Sequence, residues 1–80
     1  MLPESLSFDV EVDATGLNCP LPILKAKKAL SSLTSGQVLK VISTDPGAKR
    51  DFEAFARQTG NELVAQSQAG DALSFYLKRR

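Results

Sequence analysis

From Phe8 to Asp13 the chain alternates strictly, with Phe8, Val10 and Val12 on one face and Asp9, Glu11 and Asp13 on the other. A period of two predicts a half-buried strand whose outer surface is solvated and acidic. Thr15-Gly16 turns the chain, and the period then lengthens. Ile23, Ala26, Leu30 and Leu33 recur at helical spacing between Pro20 and about Thr34, with Lys25, Lys28 and Ser32 on the opposite side. Ser35-Gly36 ends that helix, as a glycine just past the last turn often does. Val38 to Thr44 is apolar on both faces and reads as a more interior strand. Asp45-Pro46-Gly47 turns the chain into a second helix, with Asp45 or a neighbour as the expected cap and Pro46 in the first turn. That helix is expected to bury Ala48, Phe52, Phe55 and Ala56 and to close at Gly60. Two strands, Glu62 to Ala69 and Ala72 to Lys78, finish the chain around a tight Gly70-Asp71 turn.

The order is therefore β-α-β-α-β-β. Helical crossovers permit parallel pairing, while the last two strands must pair antiparallel. Right-handed crossovers would lay both helices on one face of a four-stranded mixed sheet. The expected fold class is an α+β two-layer sandwich, a single domain over residues 1–80, with residues 1–6 expected to fray.

Composition narrows the function. No apolar run approaches the ~20 residues of a membrane span, and no basic stretch followed by an apolar one opens the chain, so the expected location is the cytoplasm, with no membrane partner. One cysteine cannot form an internal disulfide, and a free thiol suits a reducing compartment. Histidine is absent, which removes a Cys-His dyad, a Ser-His-Asp triad and an ordinary zinc site. No metal and no cofactor is called for. A formal net charge of +1 lends no support to direct nucleic-acid binding. Lys25, Lys27 and Lys28 lack interleaved aromatic residues, so they read as a solvated face or as a protein-docking surface. The tail Lys78-Arg79-Arg80 reads as solubilising.

The candidate chemistry sits in Gly16-Leu17-Asn18-Cys19-Pro20-Leu21-Pro22. Proline is favoured at the first helical position, which puts Cys19 at or next to the helix N-cap. There the unpaired amides and the positive end of the helix dipole favour a sulfur anion. The plainer reading of a free cysteine is a small buried hydrophobe, and the helix mouth argues against it. Pro20 and Pro22 stiffen the first turn, and Gly16 supplies a backbone conformation closed to other residues. Leu17 reads as packing, either into the core or as a staple against Leu21 or Leu24. Asp13 reads as holding the turn.

Asp13-Ala14-Thr15-Gly16-Leu17-Asn18-Cys19-Pro20-Leu21-Pro22 resembles the D-x-x-G-L-x-C-P-x-P signature of the TusA/SirA-like sulfur-carrier family, and every defined position matches. The similarity continues through Gly36, Asp45-Pro46 and Arg50-Asp51 to the final hairpin. It implies a two-layer fold similar to the C-terminal domain of the third bacterial translation initiation factor. It also implies that Cys19 accepts sulfane sulfur as a persulfide and passes it on, a covalent carrier more than a stand-alone enzyme. Implied partners are a sulfur donor, either a cysteine desulfurase or a rhodanese-type protein, and a downstream acceptor. Family relays serve tRNA 2-thiouridine formation, molybdenum-cofactor enzymes and oxidative sulfur metabolism. Asp13, Gly16, Leu17, Pro20 and Pro22 then support the motif, Lys25, Asp45 and Arg50 are candidate docking residues, and a monomer best suits a shuttle. The rival readings are a protein-interaction or regulatory domain with an incidental cysteine, and a thiol redox sensor.

Overall fold

The computed structural model describes residues 8–80; the fraying expected of residues 1–6 lies outside them. The elements are β1 (Val10–Ala14), α1 (Leu21–Ser31), β2 (Val38–Ser43), α2 (Ala48–Thr59), β3 (Glu62–Ala69) and β4 (Ala72–Lys78). The sheet runs β1-β2-β4-β3. β1 and β2 pair in parallel, and β4 lies antiparallel to both β2 and β3. This is the predicted four-stranded mixed sheet with two helices.

One face of the sheet is closed. Val10, Val12 and Ala14 lie opposite Leu39, Val41 and Ser43, which in turn face Leu77, Phe75 and Leu73. Ala26, Leu30 and Leu33 from the α1 region and Ala48, Phe52 and Phe55 from α2 pack onto that face as one core. Phe52 and Phe75 stack with ring centroids 4.7 Å apart, an offset geometry that adds to their area burial. Within β2, Leu39, Val41 and Ser43 are buried while the residues between them are half-buried, as an interior strand requires.

The other face departs from expectation. It is not simply an acidic, open surface. Phe8 falls out of the β1 alternation because the chain bends at Asp9, just before the strand. Its ring tilts against Tyr76 at 6.3 Å, and the Lys40 ammonium stands 5.2 Å from one ring and 5.8 Å from the other. Tyr76 is left only 3% exposed. Asp9 is the pivot: its carboxylate accepts from the Val38 N–H while its own N–H donates to the Val38 carbonyl.

α1 is shorter than its apolar stripe, ending at Ser31 and not near Thr34. The hydroxyls of Ser31 and Ser32 donate to the carbonyls of Lys28 and Ala29, and the Ser32 and Leu33 amides turn back three residues. Serine side chains thus satisfy the last carbonyls locally and stop the helix. Leu33, beyond the last turn, is still buried. α2 ends at Gly60, whose φ of +78° is the left-handed conformation glycine adopts without strain.

Candidate functional site

In a βα unit the helix begins at the C-terminal end of the strand before it. β1 and β2 run in parallel, so both helix N-termini gather at one end of the sheet. Cys19 precedes α1 there, and Asp45 and Asp51 bracket the start of α2.

β1 ends in a tight loop. Asp13 accepts hydrogen bonds through Oδ1 from the Thr15 N–H (3.0 Å) and the Thr15 hydroxyl (2.7 Å). These bonds hold the Asp13 carboxyl below its ordinary pKa, the backbone bond most, aided by the nearby Lys25 charge. Gly16, at φ +79°, donates its N–H to the Thr44 hydroxyl at 2.9 Å and so ties the loop to the end of β2. Leu17 packs against the core. Leu21 and Leu24 are 47% and 53% exposed, so the core, and not a staple, takes Leu17.

The chain then presents Cys19. The turn Asn18–Leu21 closes with the Leu21 N–H donating to the Asn18 carbonyl at 2.8 Å, and the Cys19–Pro20 peptide bond is cis. Pro20 is the N-cap residue and not the first helical one, which is Leu21; Pro22, in the first turn, is buried. No side chain caps this helix. The prolines leave fewer orphan amides to satisfy, which removes the need for a cap. Cys19 is exposed, and so is Pro20.

Asp45 does not cap α2. That position belongs to Gly47, without a side-chain hydrogen bond. The Asp45 carboxylate instead joins two segments: Oδ1 accepts from the Gly47 N–H at 3.2 Å and Oδ2 from the Cys19 N–H at 2.9 Å. The second bond spans 26 residues and sets the Cys19 backbone against the start of α2. Ser43, wholly buried at the end of β2, donates nothing to the site but accepts the Asp45 N–H on its hydroxyl at 3.1 Å.

Asp51, in the first turn of α2, completes the group. The Cys19 sulfur and one oxygen from each of Asp45 and Asp51 lie within 4.8 Å of one another. The Asp51 carboxylate, an acceptor beside the thiol proton, does most to push the Cys19 pKa up; partial desolvation and the charges of Asp51 and Asp45 push the same way. The sequence expectation of a helix-stabilised sulfur anion is therefore reversed. The dipoles of two helix ends act at this place, but two carboxylates within 4.8 Å of the sulfur outweigh them. One soft sulfur and two hard carboxylates do not form a matched ligand set for any one metal class.

The other candidates lie further out. Lys25 turns its ammonium back toward the Asp13 carbonyl at 3.5 Å, and Arg50 is exposed on the first turn of α2. Neither is among the charges that move the thiol. Sequence reasoning noted Asp51 beside Arg50 but assigned it nothing. The signal was present: a β-α-β-α order with parallel first strands brings the first turns of both helices to one end.

The family model described as Sulfurtransferase TusA matches residues 10–79. The sulfur carrier protein TusA of Allochromatium vinosum is 60% identical over 72 residues, covering 90% of this chain and 95% of its own. A putative sulfur carrier protein of Bacillus subtilis, YrkI, is 45% identical over 74 residues, covering 92% and 99%. Among solved structures, a SirA-like protein from Desulfitobacterium hafniense superposes with a TM-score of 0.78 at 24% identity, covering 88% of this chain and 96% of that one, a likeness of fold.

Proposed function

The chain belongs to the Sulfurtransferase TusA family, and we propose that it is a sulfur carrier, taking sulfane sulfur onto Cys19 as a persulfide and handing it to a downstream protein. The observation that carries this reading is the position of the single thiol. Cys19 is exposed on a stiff turn at the start of the first helix. A sulfur that must enter another protein's active site needs that exposure.

The transfer balances without an oxidant. The Cys19 sulfur attacks the outer sulfur of a persulfide on the donor. The donor's S–S bond breaks, a new S–S bond forms at Sγ, and the departing donor sulfur takes up the proton that Cys19 loses. Handing on repeats the step with the acceptor thiol as attacker. Asp45 fixes the Cys19 backbone during both steps, and Asp13, Gly16, Leu17, Pro20 and Pro22 hold the loop that presents it. Lys25 and Arg50, exposed on the two helices that start at this end, are the proposed partner contacts. The donor is a cysteine desulfurase or a rhodanese-type protein, and the acceptor feeds tRNA thiolation, cofactor assembly or sulfur oxidation.

The redox-sensor reading fits the site less well. A sensor cysteine is a low-pKa thiol, whereas the Asp51 carboxylate and the flanking charges push the Cys19 pKa up. The test is direct. Incubated with a cysteine desulfurase and free cysteine, the protein gains the mass of one or more sulfur atoms, a reductant removes them, and Cys19→Ser gains none. Absence of uptake from every desulfurase and rhodanese donor tried would overturn the proposal.

A further inference from the structure

Asp51 stands beside the reacting sulfur, and the transfer step gives it no part. One of its carboxylate oxygens lies within 4.8 Å of Sγ and of an Asp45 carboxylate oxygen. Of the groups facing Sγ, Asp45 comes from the loop after β2 and Asp51 from α2. On α1, Lys25 has its ammonium directed at the Asp13 carbonyl, and Asp13 itself is bound to Thr15. The field at the sulfur is therefore set by two carboxylates.

We propose that Asp51 biases the loaded carrier toward release: it opposes the anionic persulfide and favours the neutral thiol that is left once the outer sulfur has gone. This rests on the carrier reading above. A hydropersulfide is a stronger acid than the parent thiol, so Cys19 carries a negative charge when loaded and none when empty. A nearby carboxylate raises the free energy of the first state by like-charge repulsion and leaves the second without that penalty. A carrier needs such a bias, since a sulfur held too firmly is not passed on.

The experiment equilibrates the protein with glutathione persulfide and glutathione near neutral pH and reads the loaded fraction by intact mass. The S–S bond of glutathione persulfide breaks as one forms at Sγ, and the glutathione thiol leaves with the proton. Relative to wild type, Asp51→Asn is expected to retain sulfur roughly three- to tenfold more strongly, the effect of one charge at about 5 Å in a wet site. Asp51→Glu, which restores the charge, should return the partition toward wild type. The alkylation rate of the empty thiol should rise at lower pH in Asp51→Asn than in wild type, a displacement that a merely structural role would not produce. In the unmutated protein, raising ionic strength from about 0.05 to about 0.5 M should increase the loaded fraction by screening. That arm needs no variant to fold. Equal partition in all three proteins, or a loaded fraction in wild type indifferent to salt, would overturn the proposal while leaving the carrier reading intact. A wild type that takes sulfur from neither glutathione persulfide nor a desulfurase overturns both.

Discussion

The two ends of the sheet are built from similar loops and do opposite things. At one end β1 and β2 finish and both helices begin; at the other β2 begins and β4 finishes, because Val38 lies opposite Lys78. The second end is spent on closing the chain. The Gly36 N–H donates to the Arg79 carbonyl and the Arg79 N–H to the Gln37 carbonyl, both at 2.8 Å. The Arg79 guanidinium donates to the Leu33 carbonyl at 3.0 Å, and the Arg80 N–H to the Asn61 side chain at 3.0 Å. The basic tail is thus a fastening and not only a solubilising run. At the Cys19 end the Thr44 hydroxyl and the Asp45 carboxylate accept from backbone amides and leave the single thiol outside. A small domain spends its long-range polar contacts on closure where nothing reacts, and on presentation where something does.

The sharpest way to break this contrast is to act on one end and read both properties. Cys19→Ser is expected to abolish sulfur uptake, read by intact mass, while its midpoint of denaturation stays within about 0.5 kcal/mol of wild type, as for other exposed substitutions. At the opposite end, Arg79→Ala leaves the Leu33 carbonyl without its guanidinium partner and should lose about 1–3 kcal/mol in urea denaturation with sulfur uptake unchanged. Asp45→Ala acts at the Cys19 end on presentation and stability together. The loss of its bonds to Cys19 and Gly47 should lower stability by about 1 kcal/mol and slow loading by a desulfurase, measured in the same preparation.

The smallest effect is a pH dependence. The Asp13 carboxyl is held below its ordinary pKa by the Thr15 bonds, so the folded state takes up its proton later than the unfolded chain does. Its contribution is complete above the unfolded value and is lost as pH falls through the folded one. The gap in melting temperature between wild type and Asp13→Asn should therefore be constant from neutral pH down to mildly acid conditions and close on further acidification. A gap that widened on acidification would reverse the assignment.

Much of this was legible in residue order. The alternation from Val10 to Val12, the Phe52–Phe55 spacing and the Gly70-Asp71 hairpin each name their element, because local period and turn chemistry decide them. Cys19 was legible as well, as the lone thiol within a distinctive motif at a strand-to-helix junction. Phe8 was misplaced because one bend at Asp9 rotates the side chain to the other face, which alternation alone does not register. The early end of α1 was missed because the serines that stop it compete through their side chains with a stripe that continues to Leu33.

Sequence alone determined the element order, the sheet that order permits and the identity of the exposed thiol, since each depends on residues near one another in the chain. Its protonation was decided elsewhere. Asp45 and Asp51 lie 26 and 32 residues beyond Cys19 and reach it only because β1 and β2 pair in parallel. A helix end makes a sulfur anionic when it acts alone, and the packed structure sets two carboxylates beside this one, so the thiol keeps its proton.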